Sequence, residues 1–177
     1  MKIVGALVAA LLFAIPAAPA ATSQPVTIDR ALDVSVLQRV NEVRAENGLP
    51  PLRLSESLSL AAAAHTREMV AAGYFGHQSS DGSPFWKRVK RFYGTKGFRQ
   101  WSVGENLVWG SPVLSSDDAI QSWLESPEHR ANLLSPGWHE IGLAGAHVPA
   151  APGTFGDRET TIVTADFGSR TRSRSTS

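Results

Sequence analysis

The sequence contains no cysteine. This absence excludes disulfide bonds, a thiol nucleophile, a thioether-linked haem and a cysteine-ligated zinc site. The protein must therefore be held together by packing, which a chain of 177 residues can achieve as a single domain. The sequence also lacks an excess of charge of either sign, since its formal net charge is only +1. Composition thus gives no sign of the strongly basic domain that a nucleic-acid-binding protein needs.

Long apolar runs are also scarce, and the one present lies near the N-terminus. Val4–Ile15 follows the basic Lys2 and precedes the small residues Ala18-Pro19-Ala20. This order predicts a secretory signal peptide over residues 1–20 and a secreted or extracytoplasmic protein. The run is too short for a membrane span, and no other run is longer. We therefore expect no transmembrane segment after signal cleavage.

The remaining chain divides into a lead-in, a domain and a tail. Residues 21–33 are polar and contain proline, which predicts a flexible lead-in. Residues 34–168 carry the regular hydrophobic patterns of one globular domain. Residues 169–177 are rich in Ser, Arg and Thr, with no apolar residue to bury, and predict a disordered tail.

Helical and strand patterns alternate along the domain. Apolar residues recur at three- and four-residue spacing, or as short apolar runs bounded by turn residues. These patterns predict helices over 31–48, 56–72, from Pro84 onward, over 119–125 and over 126–134, and strands near 105–109, 138–148 and 159–167.

The stretch Ser126–Leu134 is a short helix with an unusually polar start. Ser126 suits the N-cap position, and Pro127 suits the first helical position. Leu133 and Leu134 are expected to anchor the helix in the core. His129 would then be held in place, with an imidazole that exchanges a proton near neutral pH.

Two further histidines and one acid stand out. His65 lies in the middle of the apolar stripe of its helix, which favours a satisfied core group over a ligand. His77 lies in a loop after two aromatic anchors, and either a functional or a structural role is open to it. Glu105 places a carboxylate in an apolar context and needs a partner, because burial of an unpaired charge is costly.

Residues 83–100 contain six basic residues and no acid. Such a stretch could meet an anionic partner, for example an envelope polymer or lipid headgroups. The alternative is a solvated helix face balanced by acidic residues elsewhere.

Several short motifs in order resemble one family, the bacterial CAP-domain (SCP-like) extracellular proteins. These belong to the superfamily of cysteine-rich secretory proteins, antigen 5 proteins and pathogenesis-related 1 proteins. The motifs are Asn41-x-x-Arg44, His65-x-x-x-Met69, Phe75-Gly76-His77, Gly104-Glu105-Asn106-Leu107, Trp123, Ser126-Pro127-x-His129-Arg130-x-Asn132-Leu133-Leu134 and Ile141-Gly142-Leu143-Ala144. The resemblance implies an α+β protein: a three-layer α-β-α sandwich with a small, mostly antiparallel sheet.

The resemblance also implies a cleft with two histidines and acidic residues. By motif, these are His77, His129 and Glu105, which could hold a divalent metal such as Zn²⁺ or share a proton network. The position of the second family acid holds Ser126, and Glu125 and Glu128 flank it as candidate replacements. Structural roles are expected for five other motif residues: His65, Asn106, Trp123, Arg130 and Asn132.

Three functions remain compatible with this pattern. The first is a non-enzymatic module that binds a small molecule, a lipid or a metal, or that interacts with a cell-envelope or protein partner. The second is a metal-assisted hydrolase of peptide or cell-envelope material, although the sequence lacks His-Glu-x-x-His. In the third, the polar side chains of the cluster form hydrogen bonds only with one another, and their role is to stabilise the cleft. No catalytic residue can be assigned from the sequence.

Overall fold

The computed structural model of the protein describes residues 26–172. The predicted signal peptide, residues 21–25 and residues 173–177 lie outside the described residues. In chain order the elements are α1 (Arg30–Glu46), β1 (Arg53–Leu54), α2 (Glu56–Ala72), α3 (Phe85–Phe92), β2 (Phe98–Gly110), α4 (Ser116–Glu125), α5 (Pro127–Leu133), β3 (Glu140–Ala151), a 3₁₀ turn (Gly153–Phe155) and β4 (Arg158–Arg172). Within residues 26–172, no helix is long and apolar enough to cross a bilayer.

Local sequence signals set the helix ends. The Asp29 carboxylate accepts hydrogen bonds from the first backbone N–H groups of α1. Ser115 and Asp118 form a reciprocal capping box at the start of α4. At the end of α2, Gly73 adopts the left-handed conformation that glycine permits without steric cost.

The four strands form one mixed sheet in the order β1-β3-β4-β2. The short β1 pairs with β3 in parallel, whereas the long pairs β3–β4 and β4–β2 are antiparallel. β2 is therefore an edge strand. Side chains from both faces of the sheet can come together beside an edge strand, and this property locates the site described below.

Helices cover both faces of the sheet. α1, α4 and α5 pack on one face through a core that includes Val40, Trp123 and Leu133. α2 and α3 pack on the other face through Leu58, Val89 and their neighbours. The predicted three-layer α+β sandwich with a mostly antiparallel sheet is confirmed.

A buried arginine of α1 supports the end of α5. Arg44 Nη1 donates to the carbonyl oxygens of Leu133 (2.9 Å) and Ser135 (3.0 Å), and its Nε donates to that of Pro50 (3.0 Å). These carbonyls would otherwise lack partners at a helix end and in a tight turn. Arg44 of the Asn41-x-x-Arg44 motif thus fixes the end of α5, whereas Asn41 exchanges two hydrogen bonds with the backbone of Leu52.

The ends of the domain differ from the prediction. α1 begins at Arg30, one residue before the predicted helix start, because Asp29 caps it, so the predicted lead-in over 21–33 overlaps the first turn of α1. β4 continues to Arg172, so residues 169–172 are a strand and not part of a disordered tail. The reason is a contact that the prediction did not consider: the guanidinium of Arg170 stacks over the rings of Tyr93 and Phe98, at 3.9 and 4.5 Å from their centres.

Candidate functional site

The centre of the site is a buried ion pair that holds a half-exposed histidine. Glu105 on β2 has a side chain only 1% exposed, and one of its carboxylate oxygens, Oε2, pairs with the guanidinium of buried Arg88 from α3. The other oxygen, Oε1, lies 2.8 Å from Nδ1 of His77, whose side chain is 50% exposed. Because an ionised carboxylate only accepts hydrogen bonds, Nδ1 of His77 carries the hydrogen. Its Nε2 is left for other partners.

The loop that carries His77 is fixed along its length. His65, fully buried on α2, donates from Nε2 to the carbonyl oxygen of Gly76 at 2.8 Å. Arg88 Nη1 donates to the carbonyl oxygen of His77 (3.4 Å) and to the Ser79 hydroxyl (3.2 Å). Burial lowers the pKa of His65, so this imidazole stays neutral and structural. The position of His77 is therefore set by the scaffold.

A chain of side-chain amides joins α5 to β2. Asn106 Nδ2 donates to the carbonyl oxygen of His129 (3.0 Å), and Asn132 Nδ2 donates to Asn106 Oδ1 (2.9 Å). Trp138 Nε1 in turn donates to Asn132 Oδ1 at 3.0 Å. Gly104 permits this close approach, since a Cβ there would overlap the Asn132 amide.

The two cleft histidines come from opposite layers of the fold. The ring centres of His77 and His129 are 6.4 Å apart, although the residues belong to the α2–α3 loop and to α5. Burial lowers the pKa of His129, the charge of His77 lowers it further, and Glu128 opposes both. The neutral form of His129, with a free lone pair on its ring, is therefore favoured near neutral pH.

A second buried acid lies directly across from Glu105. Asp166 on β4 is the cross-strand partner of Glu105, is fully buried, and has no hydrogen-bond partner for either oxygen within the described part of the chain. Burial raises the pKa of Asp166 well above its ordinary value, and the neighbouring Glu105 charge raises it further, whereas Arg88 lowers it. The protonated, neutral form of Asp166 is favoured, which limits repulsion between the two carboxyl groups.

A surface cavity of about 720 Å³ opens next to His77. Its wall is formed by the α2–α3 loop and the end of α2: Ala72, Tyr74, Phe75, Gly76, His77, Gln78, Ser79, Ser80 and Gly82. The aromatic side chains are apolar neighbours for a ligand, and His77 is the ionisable group among them. The cavity is of the size that small-molecule sites have.

The donor set does not fit a zinc site. A catalytic zinc ion needs three protein ligands and a water, and a structural one needs four. Both oxygens of Glu105 are already occupied by His77 and Arg88, so only the two imidazoles remain. Accordingly, residues 26–172 contain no group of three or more His, Cys, Asp or Glu side chains placed to hold a metal ion.

Comparison with known proteins decides the family. The sequence profile of the cysteine-rich secretory protein family (CAP) matches residues 37–165. The chain belongs to this family. The uncharacterized protein YkwD of Bacillus subtilis (strain 168) is 34% identical over 123 residues, which cover 69% of this chain and 45% of that protein. The CAP chain thus spans less than half the length of this curated relative.

Solved structures show the same CAP fold. An extracellular protein containing an SCP domain from Bacillus anthracis str. Ames shares 25% identity with a TM-score of 0.59, over 77% of this chain and 40% of that one. An outer surface protein from Borrelia burgdorferi shares 21% identity with a TM-score of 0.63, over 81% of this chain and 97% of that one.

The structure does not bring Glu125 or Glu128 into the Glu105 cluster as a further acid. Glu125 is exposed and accepts a hydrogen bond from Gln121 Nε2 at 2.7 Å. Glu128 is exposed on the first turn of α5, where it acts on His129 only through its charge. The acid that lies beside Glu105 is Asp166 instead.

Two residues predicted to brace the CAP domain behave differently from each other. Trp123 is fully buried, and its Nε1 donates to the carbonyl oxygen of Leu107 at 3.1 Å. Arg130 is exposed, and its guanidinium forms no hydrogen bond or ion pair within residues 26–172. Within the described residues, the structure therefore shows no contact that would give Arg130 a structural role, because its side chain leaves α5 on the solvent side.

Arg88 and Asp166 were not predicted as site residues. The sequence groups Arg88 with its basic neighbours, as a stretch that either meets an anionic partner or forms a solvated helix face. The spacing of Arg88 from Phe85, Val89 and Phe92 is that of one helix face, and this signal could have identified it as inward-facing. Asp166 interrupts an apolar strand, which marks it as unusual, but its pairing with Glu105 depends on a register that the sequence does not reveal.

Substitution of Arg88 tests the ion pair. We expect Arg88→Gln to lower the free energy of unfolding by about 3–5 kcal/mol, because Glu105 would remain buried without its counter-charge. Arg91→Gln, on the exposed side of the same helix, should change it by less than about 0.5 kcal/mol. Urea unfolding monitored by circular dichroism measures both. Equal effects of the two variants would contradict a buried, paired Arg88.

Asp166 makes stability depend on pH with a defined sign. The folded pKa of Asp166 is raised, so its contribution to stability is complete below the unfolded pKa of about 3.9 and is lost as pH rises through the folded pKa. Asp166→Asn removes this loss. The melting temperature of the variant relative to the natural chain should therefore increase as pH rises from the unfolded pKa of about 3.9 toward the raised folded pKa.

The control for this experiment is Asp117→Asn, because the Asp117 side chain is 74% exposed. Its melting temperature relative to the natural chain should stay nearly constant over the same range. A difference between Asp166→Asn and the natural chain that does not vary with pH would show that Asp166 is ionised in the folded protein.

Proposed function

We propose that this CAP protein is a non-enzymatic binding module for small amphiphilic molecules. The cavity beside His77 would hold the apolar part of the ligand, and the cleft imidazoles would bind its polar group. The observation that carries this proposal is the position of His77: half exposed, in the wall of a ligand-sized cavity, and fixed from behind by the buried Glu105–Arg88 pair.

The shape and lining of the cavity support an amphiphile. Its volume of about 720 Å³ lies within the roughly 300–1,000 Å³ usual for ligand sites. Tyr74 and Phe75 supply aromatic surface, and Phe75 packs edge-on against Trp109 and Phe155, which holds its ring in place. An acyl chain or similar apolar group would be removed from water on this surface.

The imidazoles define the polar group that fits. With Nδ1 donating to Glu105, Nε2 of His77 can accept from a hydroxyl when the ring is neutral, or donate to a carboxylate when it is protonated. The favoured neutral form of His129 offers a second acceptor nearby. A hydroxyl or carboxyl head group therefore suits this cleft.

The donor set counts against the alternative, a metal-assisted hydrolase. Two imidazoles without a third ligand do not form the open three-ligand site that lowers the pKa of a zinc-bound water. Glu105 is unsuited to the role of third ligand or general base, since it already neutralises Arg88.

We also propose that the protein works outside the cytoplasm. The pattern of Lys2, the apolar run and the small residues before residue 21 supports export. The similarity to an extracellular SCP-domain protein agrees with this location.

Binding of laurate and of dodecanol to the purified protein tests the proposed function. We expect both amphiphiles to bind, measured by isothermal titration calorimetry, and to shift the side-chain NMR signals of His77. His77→Ala/His129→Ala should weaken binding at least about fivefold, because each of the two lost hydrogen bonds is worth about 0.5–1.5 kcal/mol. Phe75→Ala should weaken it through lost apolar contact.

His147→Ala is the matched control, because His147 is an exposed histidine on β3 that pairs with Glu159 at 3.0 Å. It should bind both amphiphiles as the natural chain does. Unchanged binding by the His77→Ala/His129→Ala variant, or no binding by the natural chain, would contradict the proposal. The second outcome would favour the purely structural alternative, in which the polar side chains of the cluster form hydrogen bonds only with one another.

A further inference from the structure

The outward side of α3 carries three cations and a tryptophan. Trp86, Lys87, Lys90 and Arg91 are all exposed, with Trp86 at 42%. They occupy the side of the helix opposite the buried Arg88 and Val89. We call these four residues the cationic face of α3.

The cations of this face are not neutralised by ion pairs. Within residues 26–172, no salt bridge includes Lys87, Lys90 or Arg91. Hydrogen bonding from Ser83 is the largest cause that lowers the pKa of Asp81, and the charges of Arg91 and Lys87 lower it by less. By contrast, Arg88 of the same helix is paired with Glu105. Within the described residues, the positive charge of the cationic face is therefore not compensated by ion pairs, and Lys87 Nζ lies 5.9 Å from the ring centre of Trp86.

The same charge continues beyond the helix. Lys96 and Arg99 are exposed and likewise form no salt bridge with the described residues. Arg172 is exposed at the end of β4 and lies 5.9 Å from the ring centre of Phe98. Phe92, at the end of α3, is 39% exposed. Cations and accessible aromatic rings are thus interspersed along α3 and the segment that follows it, and Arg172 adds a further cation next to Phe98.

We propose that the cationic face of α3 docks the protein on an anionic lipid surface. Lys and Arg are attracted to anionic headgroups, and their aliphatic stems can lie along the interface. Trp at such a surface places its apolar ring at headgroup depth while its indole N–H stays hydrated. The exposed aromatic rings favour a lipid surface over a soluble anionic polymer, which would need only the charges.

Docking in this orientation would bring the candidate site to the lipid. The α2–α3 loop, which forms the wall of the cavity, leads directly into α3. A second cavity, of about 370 Å³, joins this loop to both helices. It is lined by Ala64 and Glu68 of α2, by Ser79, Ser80 and Asp81 of the loop, and by Arg88, Arg91 and Phe92 of α3. The surface proposal does not rest on the proposed ligand, since it depends only on charges and rings outside the histidine cleft.

Vesicle sedimentation tests this proposal. The purified protein should bind vesicles of phosphatidylcholine with phosphatidylglycerol, should not bind pure phosphatidylcholine, and should be released as salt increases. Lys87→Gln/Lys90→Gln should weaken binding roughly 30-fold, at about fivefold for each cation. Trp86→Ala should weaken it about tenfold, because the ring loses its apolar contact with the lipid.

The matched control is Arg30→Gln/Arg39→Gln. It removes the same number of charges from α1, which packs on the opposite face of the sheet. It should leave vesicle binding within about twofold of the natural chain, in line with surface charges screened beyond a Debye length. Equal weakening by both double variants would overturn the proposal, because net charge alone would explain binding.

A soluble polyanion separates lipid from polymer. Polyglycerol phosphate, which offers phosphate charges without an apolar phase, should bind far more weakly than the vesicles and should be insensitive to Trp86→Ala. Equal affinity for the polymer and the vesicles, with no effect of Trp86→Ala on either, would overturn the lipid surface in favour of an anionic polymer. Failure to bind anionic vesicles at all would also overturn the proposal.

Discussion

The buried ion pair between Arg88 and Glu105 is the interaction on which the site depends. It joins α3 to the edge strand β2, and through the carbonyl oxygen of His77 it also fixes the loop between α2 and α3. Two charges removed from water are costly unless each meets a partner of good geometry. The pair satisfies this condition because Glu105 uses one oxygen for Arg88 and the other for His77. The buried Glu105 carboxylate needs a hydrogen-bond donor on each oxygen, and this requirement orients the imidazole of His77.

The position of the cleft follows from the order of the strands. Because β2 is at the edge of the sheet, α3 on one face and α5 on the other both contact it. Successive side chains of β2 point to opposite faces of the sheet. Glu105 therefore pairs with Arg88 of α3 on one face, whereas Asn106 donates to the backbone carbonyl of His129 in α5 on the other. Two histidines that are distant in sequence therefore share one site. The same pairing uses both oxygens of Glu105, so this cluster does not offer the three protein ligands that a catalytic zinc ion needs.

The sequence predicted the fold better than it predicted the contacts within the site. The helices were predicted from their apolar spacing, and the ordered motifs identified the family and the group of His77, Glu105 and His129. The length of β2 was underestimated because Arg99, Gln100 and Ser102 are exposed and lack a strand-like apolar pattern. Long-range pairing was the main limit, since the contact of Asp166 with Glu105 exists only through strand register. The inward direction of Arg88 was also missed, because its neighbours in sequence are basic and the whole stretch was treated as one charged group.

The central claim is that the buried pair fixes the tautomer of His77 and leaves its Nε2 available to a ligand. Two-bond ¹H–¹⁵N NMR correlation of the histidine side chains, with His77 assigned by its loss in His77→Ala, tests this claim most directly. We expect hydrogen on Nδ1 of His77 and, whenever the ring is neutral, a lone pair on Nε2, in contrast to the mixture of tautomers of a free imidazole. A neutral His77 with hydrogen on Nε2, or with averaged tautomers, would contradict the account.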